Sequence, residues 1–414
     1  MKSFLQHLKE DKGGKNLHLE HIEDEILNYG IDGGRASINF LQSLRDMLAG
    51  SARSSVNMTV KWDGAPAIFA GIDPSDGKFF VAKKSVFNVS PKLYKTNAEI
   101  DADLSGTLNE KFKVALEEFS KLGIKGVLQG DLMFTNDVSK ENIDGTSYYT
   151  FQPNTIVYAV PVDSDFGKTI NNAKIGVVWH TTYTGKELQD MKASFGADIS
   201  GLKKSSTVWM DDATYKDTTG KSTMTATETA KVTTSLSAAG TTFRKINAVM
   251  LKKFLNLQES MTGALAGASL KTYNNSKVRR GEKITNPKAH AKGYVKWVEM
   301  SIQKQVDKAK SVKGKEKYTN IKKQYTVEIS KHINNLTQII TFQNHLVDGK
   351  MEIVKKLNSV KGLTDTFIKT SNGFKVVNPE GYVAIDRISG GAVKLVDRME
   401  FSFNNFTAIK AWDK

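Results

Sequence analysis

Cysteine is absent from all 414 residues. That excludes disulfides, thiolate metal sites and cysteine nucleophiles, and it fits a protein of the cytoplasm. Long apolar runs are also missing. None approaches the roughly 18 residues that span a bilayer, so no transmembrane helix is expected. The opening residues, Met1 to Gly14, have no apolar core and no small-residue cleavage site, so no secretory signal is expected. No glycine run of the Walker or Rossmann type occurs, and no internal repeat is evident. What remains is an ordinary globular balance, 39% hydrophobic and 25% charged, long enough for two domains or for one domain with a large insertion.

The charge is unevenly placed. The chain carries a net +15. Residues 241–363 hold 25 lysines and arginines against 8 acids, and the rest of the chain holds 34 against 36. One segment therefore accounts for the whole excess. A basic block of this kind suits a phosphate backbone, where lysine and arginine displace condensed counterions; the alternative is a solvated helical surface tuned for solubility.

Periodicity divides the chain. Residues 1–50 read as a helical lead-in, with Leu19, Ile22, Ile26 and Leu27 at helical spacing and a break at Asp32-Gly33-Gly34. Alternation in Val56, Met58 and Val60, then Ile68-Phe69 and Phe79-Phe80-Val81, predicts antiparallel strands over 55–90. A helix is expected over 110–122 with Asn109 as its cap, and strands over 126–132, 155–162 and 174–182. Residues 196–240 are rich in Ser, Thr, Ala and Gly and read as irregular. Helical periodicity returns at 243–261, and again from Asn286-Pro287, a cap followed by proline in the first turn. One or two helices broken near Asp348-Gly349 follow, and strands return at 373–403. The reading is an α+β chain: first sheet part 51–195, irregular segment 196–240, basic helical insertion 241–363, last sheet part 364–414.

Four short segments carry chemistry. Thr59-Val60-Lys61-Trp62-Asp63-Gly64 sets a lysine at a strand end beside an Asp-Gly turn, and lysine becomes a nucleophile when burial or neighbouring cations lower its pKa. Gly130-Asp131-Leu132 ends a strand with a carboxylate, and Glu380-Gly381-Tyr382-Val383 repeats the arrangement. Lys394 lies in the strand Ala392–Val396. Carboxylates can hold a divalent metal while lysines neutralise phosphates, so the set suits nucleotide transfer. Weaker signals are His18 and His21, three apart on a helix with no third metal ligand, and aromatics interleaved with bases around Lys271–Arg280 and Lys292–Trp297.

This ordered set resembles the covalent nucleotidyltransferase superfamily of ATP-dependent DNA ligases, RNA ligases and messenger-RNA capping enzymes. The resemblance covers roughly 55–165 and 373–406. It implies an antiparallel-sheet adenylation domain, here with a large basic helical insertion. It implies Lys61 as the residue that takes up AMP, within a nucleotide-binding motif that includes Thr59, Val60, Asp63 and Gly64. Lys83 and Lys84 lie where these enzymes set a basic residue against the nucleic-acid end. Asp131 stands where a glutamate usually contacts the ribose, and Tyr158 where a ring stacks on the purine, with Trp179 or Phe151 as alternatives. Glu380 matches the metal-side glutamate, with Asp131 as a second carboxylate, and Lys394 the lysine that reaches the α-phosphate. The sequence departs from the pattern at Asp131, one methylene short, and near Val396, where a second lysine is missing and Arg398 or Lys394 alone would serve. Pro66 stands where DNA ligases often carry an arginine.

The resemblance implies ATP with Mg²⁺ (or Mn²⁺) as cofactors, and RNA or DNA strand ends as partners. Arg279, Arg280 and Arg398 are further candidates for holding the strands. A monomer is favoured, acting in the cytoplasm, of the host cell if the chain is phage-encoded. About 20 residues follow Lys394, too few for the OB-fold of DNA ligases and capping enzymes. This leans the reading toward a phage-type RNA ligase. A DNA ligase with a helical clamp, a capping-type guanylyltransferase, and a non-catalytic nucleic-acid-binding or phage structural protein remain as alternatives.

Overall fold

The computed structural model describes residues 21–50, 56–215, 223–359, 364–370, 373–386 and 392–399. A 3-10 turn, Ile22–Asp24, leads into α1 (Glu25–Leu48). Strands β1 (Val56–Lys61), β2 (Ala67–Ile72) and β3 (Phe79–Ala82) follow, then α2 (Asn97–Asp103) and α3 (Gly106–Phe119). Next come β4 (Val127–Phe134), β5 (Ser139–Ile143), β6 (Thr146–Phe151), β7 (Val157–Pro161) and α4 (Asp165–Asn172). After them run β8 (Ile175–Thr184), β9 (Lys192–Phe195) and β10 (Val208–Asp211). The helices α5 (Ala226–Phe243), α6 (Ala248–Glu259), α7 (Leu270–Arg279), α8 (Pro287–Lys308), α9 (Val312–Lys331) and α10 (Ile333–Asn358) then succeed one another. The last strands are β11 (Asp365–Thr370), β12 (Gly373–Val376), β13 (Gly381–Asp386) and β14 (Ala392–Leu395). The fold is α+β.

Three sheets result. The first runs β1-β13-β14, the second β10-β8-β4-β2-β3 with β9 also on β8, and the third β12-β11-β7-β6-β5. Among the described residues, all strand pairings are antiparallel except β10 with β8. One face of the second sheet is covered by α3, whose Phe112, Ala115 and Phe119 are fully buried against Ile68, Leu128 and Trp179. Each such aromatic contributes about 2–3 kcal/mol by leaving water. Phe134, Trp209, Phe151 and Tyr158 fill the space between the second and third sheets.

The helices form one body with the first sheet. Ile26, Leu41 and Leu44 of α1 share a core with Leu236, Phe254, Tyr294, Phe342 and Leu346, and with Tyr382, Ala384, Val393 and Leu395 of the sheet. The lead-in and the basic helices, separate in the sequence, therefore pack together. A buried polar seam joins them: Lys350 Nζ donates to both carboxylate oxygens of Glu23 at 3.0 Å, and Arg398 meets Asp24 at 3.1 Å. Against the cost of burial, the lysine beside Glu23 holds that carboxyl below the usual carboxylate range.

Several sequence expectations need correction. Residues 226–240, expected to be irregular, lie in α5, which is opened by a capping box in which the Thr225 side chain accepts from Glu228 N–H. Asn109 is not the cap of α3; Ser105 occupies that position, and Asn109 donates to Asp101 and to the carbonyl of Leu104. Gly33-Gly34 does not break α1. The kink falls at Tyr29-Gly30, where Gly30 takes φ 62°, while a Cβ on Gly34 would come within 2.7 Å of the Phe243 ring. Nor does α10 break at Gly349. The start at Asn286-Pro287 is as expected, with the Asn286 side chain accepting from Ala289 N–H. Among the described residues, no helix is long and apolar enough to cross a membrane.

Candidate active site

The Lys61 segment is placed by pairing across the whole chain. β1 runs antiparallel to β13, with Lys61 opposite Gly381 and Thr59 opposite Val383. Val383 in turn faces Lys394 on β14. Thr59, Val383 and Lys394 thus lie in one row across the sheet, two residues from Lys61. At the end of β1 the Lys61 ammonium forms an ion pair with the Glu380 carboxylate, whose side chain is 4% exposed.

Past Lys61 the chain turns sharply. Asp63 is buried and is not among the residues that line the cavity beside Lys61. Its Oδ1 accepts from Asn154 Nδ2 at 2.6 Å, and its Oδ2 accepts from the N–H groups of Thr155 and Ile156 at 2.8 and 3.0 Å. Its own N–H donates to the Tyr158 hydroxyl at 2.6 Å. The carboxylate therefore locks the turn after Lys61 to the start of β7. Gly64 meets β4 so closely that a Cβ would lie 2.4 Å from the Cβ of Asp131. The cis Ala65-Pro66 bond follows, and Ala65 N–H and Pro66 O both bond to Leu132.

These contacts surround a cavity of about 330 Å³ between the first and second sheets. Thr59, Val60, Lys61, Asp131, Lys84 and Lys394 line it. Four sequence-predicted segments, around Lys61, Lys84, Asp131 and Lys394, thus converge on one space, with Glu380 joined to it through Lys61. His180 and Gln129 are further lining residues that the sequence reading did not select. Gln129 is legible in hindsight, because it stands two residues from Asp131 and shares its face of β4. His180 is not. Gln129 pairs with Thr181 and Gly130 with Trp179, so His180 is the extra residue of a β-bulge. The bulge turns both His180 and Thr181 to the cavity. His180 Nε2 lies 3.7 Å from Asp131 Oδ2, and its Nδ1 is 2.8 Å from Thr181 Oγ1.

Other expected residues stand elsewhere. Tyr158 does not line this cavity. It is buried, its ring 5.0 Å from Trp62 and 5.7 Å from Phe151, and burial pushes its phenol well above the usual range. Trp179 and Phe151, the alternative stacking rings, are buried against Phe119 and Phe134. The aromatic rings that do line the cavity are Trp62, Phe69, Tyr183 and Phe195. Lys83 points to Asp103 at 3.2 Å, beside Lys92 and Tyr94. Arg398 is drawn to Asp24 and to Asn275 at 2.7 Å, so it braces the helical body. Arg279 and Arg280 are exposed at the end of α7, Arg280 paired with Glu282 at 2.6 Å. His18 lies outside the described residues. His21 is half-buried, and the desolvation of its ring lowers its imidazole to about 3.

A family profile matches residues 16–410. The chain belongs to DUF6267, a family of unknown function. The match encloses each of the cavity residues named above. No curated protein and no solved structure matches this DUF6267 chain.

Proposed function

We propose that the chain is a covalent nucleotidyltransferase of the polynucleotide ligase type, with Lys61 as nucleophile. The observation that carries this reading is the convergence of Lys61, Lys84, Lys394 and Asp131 on one cavity, with Glu380 bonded to Lys61. In the first step the Lys61 amine attacks the α-phosphorus of ATP. A P–N bond forms, the bond to the β-phosphate oxygen breaks, and pyrophosphate leaves. The ion-paired ammonium becomes that amine by first giving a proton to Glu380, the carboxylate already in contact, and the second proton lost from Nζ on P–N bond formation leaves with pyrophosphate. Lys84 and Lys394 offset the charge that gathers on the phosphate oxygens. AMP then passes to a 5′-phosphate, and a 3′-hydroxyl displaces it to seal the strand. The strands to be joined are RNA or DNA.

Among the described residues, no three His, Asp or Glu side chains converge to hold a metal ion by themselves. That donor set still suits Mg²⁺, which binds one or two carboxylates and completes its shell with phosphates and water. Glu380 and Asp131 would hold it, and it would supply charge neutralisation at the phosphates. On the helical body, Lys288, Lys292 and Lys296 recur every fourth residue along α8, with Lys304 two further turns on, all exposed. This spacing forms one basic stripe, which suits the backbone of the strands to be joined.

The test is incubation with α-labelled ATP and Mg²⁺ followed by denaturing electrophoresis. Label should be retained by the native chain and lost in Lys61→Ala. Label from GTP alone would move the reading to capping. No label from either nucleotide, on protein shown not to be adenylated already, would overturn it.

A further inference from the structure

A second cavity, of about 430 Å³, adjoins the first. Val60 and Trp62 line both cavities, whereas Thr59 and Lys61 line only the first, so the two spaces meet at the end of β1. The β5–β6 turn, β10, β11, β12, the end of α10 and Tyr382 of β13 enclose the second.

Its walls are aromatic. Trp62 and Tyr158 stand 5.0 Å apart, Tyr215 and Tyr382 5.6 Å, and Tyr148 and Phe367 6.3 Å. Its charge has one sign. Asp144, Asp211 and Asp365 line it, and among the described residues no lysine or arginine does, in a chain of net charge +15. The three acids differ in depth: Asp144 is exposed, Asp365 half-buried and Asp211 buried. Asp365 is held in place by the Tyr148 hydroxyl, which donates to it at 3.0 Å.

These features select an occupant. A phosphate or carboxylate would be repelled. A bare metal ion lacks its ligand set, since no three acids converge among the described residues. Ring faces attract cations through their quadrupole, and acids at three depths suit charge spread along a stem. The volume falls in the range of small-ligand sites. We propose that this cavity binds a small organic cation of the polyamine or alkylguanidine class. Its ammonium or guanidinium ends would lie against Asp365 and Asp144, and its methylene stem against the rings. The proposal does not rest on nucleotide transfer at Lys61.

Calorimetric titration of the full chain with spermidine and with agmatine tests it, with 1,6-hexanediol as the neutral control. The expected result is saturable 1:1 binding of at least one cation and none of the diol. Asp144→Asn should weaken binding about fivefold, and Asp144→Asn with Asp365→Asn by more than tenfold. Asn tolerates the left-handed backbone of Asp144 (φ 50°), so the single variant keeps the test valid if the double variant does not fold. Absence of binding by both cations would overturn the proposal. So would binding unchanged by Asp144→Asn, or equal binding of the diol.

Discussion

Asp63 shows how one side chain can serve a site without facing it. Its carboxylate takes three hydrogen bonds from the start of β7, two of them from backbone N–H groups. Asp63→Ala would leave those buried donors unpaired, at about 2–4 kcal/mol. Denaturant unfolding should show that loss, together with reduced labelling at the neighbouring Lys61. His290 gives a different signal. Burial, with a smaller effect of Lys277, lowers its imidazole to about 4, and the ring stacks 4.4 Å from Tyr273 with Nε2 2.8 Å from Asn274 Oδ1. The unfolded chain takes up this proton near pH 6.5 and the folded chain does not. Its contribution is present above pH 6.5 and is lost as pH falls toward 4. Thermal melts across that window should fall less steeply in His290→Gln than in the native chain.

At the scale of elements, α5 and α10 meet at a glycine. A Cβ on Gly349 would stand 3.5 Å from both Leu236 and Ser235, an ordinary contact distance. Gly349→Ala should therefore raise stability by about 0.5–1 kcal/mol through helix propensity. Gly349→Leu should lower it by about 1–3 kcal/mol by forcing the helices apart. Chemical denaturation distinguishes the two signs. The same close packing explains what the sequence concealed. Asp348-Gly349 looks like a stop signal, yet the missing side chain lets two helices approach. α5 escaped notice because its buried stripe is Val232, Leu236 and Ala239 amid threonines and serines, too small an apolar signal to read as a helix. Strands were plainer, since alternation in Val56, Met58 and Val60 marks β1 directly. In the cavity, Lys61 was legible from its strand-end motif and Lys394 from its strand, whereas Asp131, expected at a strand end, stands within β4. His180 was not, because a bulge shifts the alternation that would have revealed it. Tyr158 lines the adjoining cavity instead, since strand position alone does not tell which of two faces a ring takes.

At the scale of the whole molecule, charge is concentrated in the helical body. If the α8 stripe binds a nucleic-acid backbone, affinity should fall linearly on a log–log plot against salt, with a slope near −0.9 per duplex phosphate engaged. Replacing Lys288, Lys292 and Lys296 by Gln should make that slope shallower by about 1 for each phosphate no longer engaged, with little change in sequence preference. Filter binding over a salt series measures it. A slope unchanged by the triple replacement would place the binding surface elsewhere.

The sheet that carries Lys61 has a consequence for synthesis. β1 lies between residues 56 and 61, and its partner β13 between 381 and 386. On the ribosome, β1 must wait through some 320 residues before its neighbour is made. Until then its edge is open to mispairing, and the Glu380 carboxylate has yet to reach Lys61. The second sheet and the helices can form in that interval, but the lysine and its partner meet only once β13 has been made. The cavity is therefore assembled late, and a prematurely terminated chain would lack it.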